Sequence, residues 1–264
     1  MAPSALRRAI GPSRDRARFV SSGAAGVLSK LRGPGLTGDG PRIAPVAVAT
    51  AALVAFALLT AKAIAGGASA WDRALFRYLY SGDSNWIGGR TPGQSDRVLN
   101  AAEPLFHRLA DTRVLPLLVV GIVVTLLVTR RPRGAGFFTA AVAITALVPG
   151  LKRLIERPSP FPLPHDPSFP SGHATLSMAI AAGVFVLVRS GPQRLLAAAL
   201  GAVLVLVVGV AVIADGGHWP SDVLAGWCLA LAWVAVLYAV AGRWLEGSAG
   251  REDRVGVPHS HVPV

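Results

Sequence analysis

Apolar residues in this chain gather into long runs at 43–65, 114–129, 135–151, 173–188, 195–214 and 223–241, each nearly free of charge. About 20 apolar residues wound as a helix cross the roughly 30 Å hydrocarbon layer of a bilayer. The pattern therefore predicts an all-α fold, an integral membrane bundle of six transmembrane helices filling 43–241. The second, third and fourth runs are short for a span and are expected to extend into flanking polar residues. Lys62 lies near the end of the first run, where its ammonium can snorkel to the interface. Between the first two runs, 66–113 mixes Trp71, Phe76, Tyr78, Tyr80 and Trp86 with charges. That mixture predicts a long loop with short helices resting at the interface.

The flanks differ in kind. Residues 1–42 carry Arg7, Arg8, Arg14, Arg16, Arg18, Lys30, Arg32 and Arg42 among Gly, Ser and Pro, which reads as a basic, disordered tail. Residues 242–264 read as a polar tail, in which His259 and His261 lack further metal ligands nearby. Arg130, Arg131 and Arg133 fall between the second and third runs, and Arg189 and Arg194 between the fourth and fifth. The positive-inside rule then puts these loops and both termini in the cytoplasm of a multi-pass plasma-membrane protein, and the loops at 66–113, 152–172 and 215–222 outside.

Composition fits this frame: 52% of the 264 residues are hydrophobic and 15% charged, with a mean hydropathy of +0.51. The net charge of +12 follows from the tail and inner loops, so it indicates topology and no nucleic-acid partner. Cys228 is the only cysteine, which excludes an intramolecular disulfide and a cysteine-built metal site. Oligomeric state is left open.

Nearly all residues suited to chemistry fall in two of the outer loops. Phe169-Pro170-Ser171-Gly172-His173 stands where the fourth run begins, with Ser171 or Gly172 suited to the N-cap. A helix start presents free N–H groups and a positive dipole end, which favour an anion beside His173, although ordinary capping explains Pro-Ser-Gly equally. Gly217-His218-Trp219-Pro220-Ser221-Asp222 repeats the arrangement before the sixth run, with Pro220 suited to the first turn. Asp222 can accept a hydrogen bond from one imidazole nitrogen of His218, leaving the other as a basic lone pair, which is how a histidine becomes a nucleophile. A dipole-compensating Asp222 beside an interfacial histidine is the plainer reading. Lys152, Arg153 and Arg157, followed by Pro158, close the third run and also suit a helix C-terminus.

Taken together, these residues resemble the type 2 phosphatidic acid phosphatases, or lipid phosphate phosphatases, whose active site is related to that of vanadium haloperoxidases. The resemblance covers 114–241. Of the family patterns K-x6-R-P, P-S-G-H and S-R-x5-H-x3-D, the chain keeps Pro170-Ser171-Gly172-His173 whole and His218 with Asp222 at the right interval. With Lys152 as the family lysine, the first arginine falls on Ser159, and the serine and arginine of the third pattern fall on Ala211 and Val212. Each charge-assisted contact of that kind is worth about 1.5–3 kcal/mol.

The resemblance implies hydrolysis of a lipid phosphate or a polyprenyl phosphate or diphosphate at the outer membrane face, without metal or other cofactor. His218 would be the nucleophile, Asp222 its orienting carboxylate and His173 the proton donor. Lys152, Arg157, the Ser171 hydroxyl and the Gly172 N–H would hold the phosphate. The missing arginines keep a second expectation open, a non-catalytic lipid-phosphate binding or transport protein on the same scaffold.

Overall fold

The computed structural model describes residues 43–80, 113–160 and 167–246. Its elements are helices α1 (Ile43–Ile64), α2 (Ala70–Leu79), α3 (Val114–Val128), α4 (Pro132–Val142), α5 (Val148–Ile155), α6 (Gly172–Leu187), α7 (Gly191–Ala214) and α8 (Pro220–Glu246). A helix stands at each of the six apolar runs. Four spans among the described residues are long and apolar enough to cross a membrane: Ile43–Ile64, Pro132–Ile155, Gly191–Ala214 and Pro220–Leu245. The described residues are thus all-helical, and the chain is a multi-pass membrane protein. Helices α3 and α6 have 15 and 16 residues and do not extend into flanking polar sequence. At about 1.5 Å per residue they reach roughly 22–24 Å, short of the full hydrocarbon thickness.

The run expected at 135–151 is one rod from Pro132 to Ile155, in which a 3-10 stretch, Ala143–Leu147, joins α4 to α5. Pro149 accounts for the tightening. It has no N–H for the carbonyl of Thr145, and its ring crowds that carbonyl. The Thr145 carbonyl accepts instead from the Val148 N–H, three residues on, the 3-10 pattern. Pro132 occupies the first turn of α4, where a missing N–H costs nothing.

The polar C-terminal tail was expected from 242, but α8 continues to Glu246. The extension is held because Leu245 is buried against Phe137, Ala141 and Val234, and Arg189 Nη2 donates to the Leu245 carbonyl at 2.7 Å. Arg133 lies over the Trp244 ring, 5.5 Å from its centre. Residues 1–42, the loop segment 81–112 with Trp86, and the tail with His259 and His261 lie outside the described residues.

Helix α8 is the hub, packing most extensively along α1 and α6, while α6 also packs along α7. Both helices bury small residues, Ala49, Ala52 and Ala63 on α1 and Ala225, Ala230, Ala232 and Ala235 on α8, and Ala63 packs with Ala225. Small residues let helix backbones approach where lipid supplies no hydrophobic drive between spans. Leu115, Phe138, Val142, Ile180, Val208 and Leu229 fill one apolar core. Outward positions such as Leu117, Leu195, Leu200 and Val203 stay exposed, as lipid-facing side chains should.

Candidate active site

Three chain segments converge at the N-terminus of α8. The first leaves α5 through Glu156, whose φ of 49° is left-handed and whose N–H caps the helix by donating to the Lys152 carbonyl at 2.9 Å. A left-handed residue just past a helix end reverses the chain, and Pro158 prevents the helix from resuming. The turn carries Arg157 inward, to 3% exposure. The second segment passes the Phe169–Pro170 bond and enters α6 at Ser171, whose hydroxyl accepts from the Ala174 N–H. The third enters α8 through Gly217-His218-Trp219, with Pro220 as its first helical residue.

Asp222 ties these segments together. Its side chain is completely buried. One carboxylate oxygen, Oδ2, accepts from the Trp219 N–H at 2.8 Å, and the other, Oδ1, accepts from Arg157 Nη1. Its backbone carbonyl accepts from the Ser171 N–H at 3.1 Å, which fixes the mouth of α6 against the mouth of α8. His218 Nδ1 stands 3.8 Å from Oδ2 and is buried without a hydrogen-bond partner among the described residues. That gap is about 1 Å beyond hydrogen-bond length, and catalytic hydrogen bonds are often long before substrate closes the site.

Of the two N-cap candidates, Ser171 takes the role and Gly172 is the first helical residue, while Pro220 stands in a first turn as expected. Arg157, Ser171, His218 and Asp222 share one cluster. His173 follows in the first turn of α6 and is half-buried, as is Gly172. Lys152 lies in the last turn of α5, also half-buried. Arg157, expected as a phosphate ligand, has both terminal nitrogens taken. Nη1 donates to Asp222 and to Ser221 Oγ at 2.8 Å, and Nη2 donates to Asp72 at 3.1 Å and the Gly67 carbonyl at 3.2 Å. Only Nε lacks a partner among the described residues. Each of these carboxylates makes a charge-assisted hydrogen bond with the buried guanidinium, so both terminal nitrogens of Arg157 are held by Asp222 and Asp72.

Sequence reasoning missed Asp72, which is 2% exposed and in direct contact with this cluster. A capping-box pattern was visible at Ser69 and Asp72, but nothing local distinguishes a solvent-facing capping residue from a buried one. Val212, at the place of the family's third-pattern arginine, is buried in an apolar cluster with Phe76, Ala174, Ile213 and Val223. The space is therefore sealed by hydrocarbon. A cleft of about 270 Å³ opens beside Arg157, lined by Lys62, Trp71, Asp72 and Ser221 among others, but His218 and His173 do not line it.

Gly226 permits the helix contact on which the site depends. A Cβ there would come within 2.7 Å of the Ser171 carbonyl oxygen and 3.0 Å of the Thr175 nitrogen, both backbone. Gly226→Ala should destabilise the protein by about 1–3 kcal/mol, the usual cost of overpacking. Thermal unfolding in detergent measures it, and an unchanged Tm would contradict the close approach.

Residues 134–246 match the PAP2 superfamily. A curated relative from Sulfolobus acidocaldarius, described as undecaprenyl-diphosphatase, is 31% identical over 124 residues, covering 42% of this chain and 57% of its own length. The chain thus spans little more than half of that relative. Among solved structures, a transmembrane PAP2-type phosphatidylglycerolphosphate phosphatase from Bacillus subtilis superposes with a TM-score of 0.56 at 21% identity, covering 76% of this chain and 97% of the other. At that identity the likeness is one of fold.

Proposed function

From the PAP2 match across residues 134–246, we propose that this chain hydrolyses a lipid phosphate or a polyprenyl phosphate or diphosphate through a phosphohistidine. One observation carries the reading: His218 and Asp222 meet at the mouth of α8, and the Ser171 N–H locks the mouth of α6 onto Asp222. Since Nδ1 of His218 faces Asp222, Nε2 is the nitrogen left to react. Its lone pair forms the N–P bond as the ester or anhydride P–O bond breaks, and His173 gives its proton to the leaving oxygen. Water then attacks phosphorus, His173 takes up the water proton, the N–P bond breaks and inorganic phosphate leaves. Asp222 holds the His218 tautomer and stabilises its charge.

The Gly172 N–H at the start of α6, with Lys152 and Nε of Arg157, meets the charge on the equatorial oxygens, where catalysis of phosphoryl transfer mostly resides. The Ser171 hydroxyl belongs to this set by resemblance and serves the helix cap meanwhile. The lipid tail lies along the apolar helix faces. Phosphate release from a panel of lipid and polyprenyl phosphates, by purified protein in detergent, tests the reading. No turnover above that of His218→Ala would remove it.

The apolar cluster at Val212 favours one competitor, a lipid-phosphate binder or transporter. Tight binding of the same panel without turnover is its mark. We place the site on the outer face, opposite the arginine-rich loops. A cysteine at half-exposed Gly217 should react with an impermeant thiol reagent on whole cells, and labelling only after lysis would invert the topology.

A further inference from the structure

We propose that Asp72, on a helix outside the PAP2-matched segment, is a positioning residue that keeps the Asp222 carboxylate turned toward His218. The proposal rests on the reading of His218 and Asp222 as the reacting pair.

Asp72 and Asp222 occupy equivalent places. Each is the third residue of its helix, and each accepts from the backbone N–H at the entrance of that helix, Asp72 from Ser69 at 3.1 Å and Asp222 from Trp219 at 2.8 Å. A carboxylate in this role ordinarily faces water. Here both are buried, and the single guanidinium of Arg157 lies between them with one terminal nitrogen on each. Asp72 also reaches α8 directly, because its Oδ1 accepts from the Ser221 N–H at 2.9 Å. That N–H belongs to the first turn of α8, where no carbonyl of the same helix is available to it. Asp72 therefore caps two helices, its own and the one that carries the site.

Helix α2 has a second, apolar anchor. Phe76, 1% exposed, packs with Ala174, Val212, Ile213 and Val223, and its ring centre lies 5.3 Å from that of Trp219. The ionic and apolar anchors both hold α2 over the entrance of α8. Burial alone would raise the Asp72 carboxyl, but hydrogen bonds from Ser221 and Ser69 and the charge of Arg157 outweigh it and hold Asp72 below its ordinary value. It is a carboxylate in this setting.

The consequence for the site is geometric. With Asp72 engaging Nη2, Arg157 offers Asp222 only Nη1 and takes only Oδ1. Oδ2 remains for the Trp219 N–H and for His218. Without the Asp72 charge, a planar guanidinium favours the paired geometry in which both nitrogens grip both oxygens of one carboxylate. Asp222 would then turn from His218 toward Arg157.

Asp72→Asn, Asp72→Glu and Asp72→Ala, compared with wild type and His218→Ala in detergent, test this. Asp72→Asn is expected to lower kcat about tenfold or more per folded protein with KM within about threefold, and Asp72→Glu to recover part of the loss. Amide exchange over 219–223 is expected to quicken in Asp72→Ala, since the Ser221 N–H loses its acceptor. A kcat for Asp72→Asn equal to wild type overturns the proposal, as does exchange over 219–223 unchanged by Asp72→Ala. Wild type no faster than His218→Ala would defeat the phosphatase reading, and the exchange measurement would still decide whether Asp72 holds α8.

Discussion

His218→Ala is expected to reduce phosphate release from every active lipid phosphate on the order of 10³-fold or more, while leaving the melting temperature within a few degrees of wild type. The first part follows from covalent catalysis. With no nucleophile there is no N–P bond, and the remaining charge stabilisation supports only attack by water, the residual seen when a catalytic nucleophile is removed. The second follows from packing. Nδ1 of His218 makes no hydrogen bond among the described residues and stands 3.8 Å from Asp222 Oδ2, which keeps its bond from the Trp219 N–H after truncation. Removing a polar atom that makes no hydrogen bond costs far less than orphaning a bonded partner. Phosphate release and thermal unfolding on one preparation check both halves. Retained activity would move the nucleophile elsewhere, and a collapse in Tm would show that His218 is holding structure.

Arg157→Leu should have the opposite profile, with loss of stability preceding loss of activity. The guanidinium at 3% exposure is the shared cation of two carboxylates that are themselves buried, Asp72 and Asp222. Breaking a buried pair by removing one partner costs about 3–5 kcal/mol, because the remaining charge is uncompensated. At roughly 2–4 °C per kcal/mol for a domain of this size, Tm should fall by about 6–20 °C. Arg157→Lys should fall in between, since an ammonium keeps the charge but not the planar fork that serves two acceptors at once. An Arg157→Leu protein with wild-type Tm would mean that the carboxylates are held some other way, and Arg157 would revert to a phosphate ligand alone.

The spans and helix mouths were legible because their signals are local. A charge-free run, a serine before a glycine and a proline in a first turn can each be recognised within a few residues. Residues 242–246 read as part of a polar tail that lacks helical periodicity, whereas the burial of Leu245 against Phe137 depends on a helix more than 100 residues earlier. Arg157 had the same difficulty. As a cation at the end of α5 it fitted dipole compensation or phosphate capture, and only folding brings Asp72 and Asp222, 85 and 65 residues away, to its two nitrogens. Val212 shows the converse case. The absence of an arginine was plain in the sequence, but the Phe76 that helps fill its place comes from a segment whose apolar and charged residues read as an interfacial loop.

The 3-10 stretch between α4 and α5 changes how this rod should be read on a helical wheel. A residue there advances 120° about the axis where an α-helical residue advances 100°, so five such residues add about 100° of rotation and about 2.5 Å of length. Side chains after Leu147 are out of phase with those before Ala143. Positions of α5 that a continuous wheel would align with Phe138 and Val142 therefore face elsewhere. Lys152 and the turn that delivers Arg157 owe their azimuth to the proline at 149, a residue that touches no part of the chemistry.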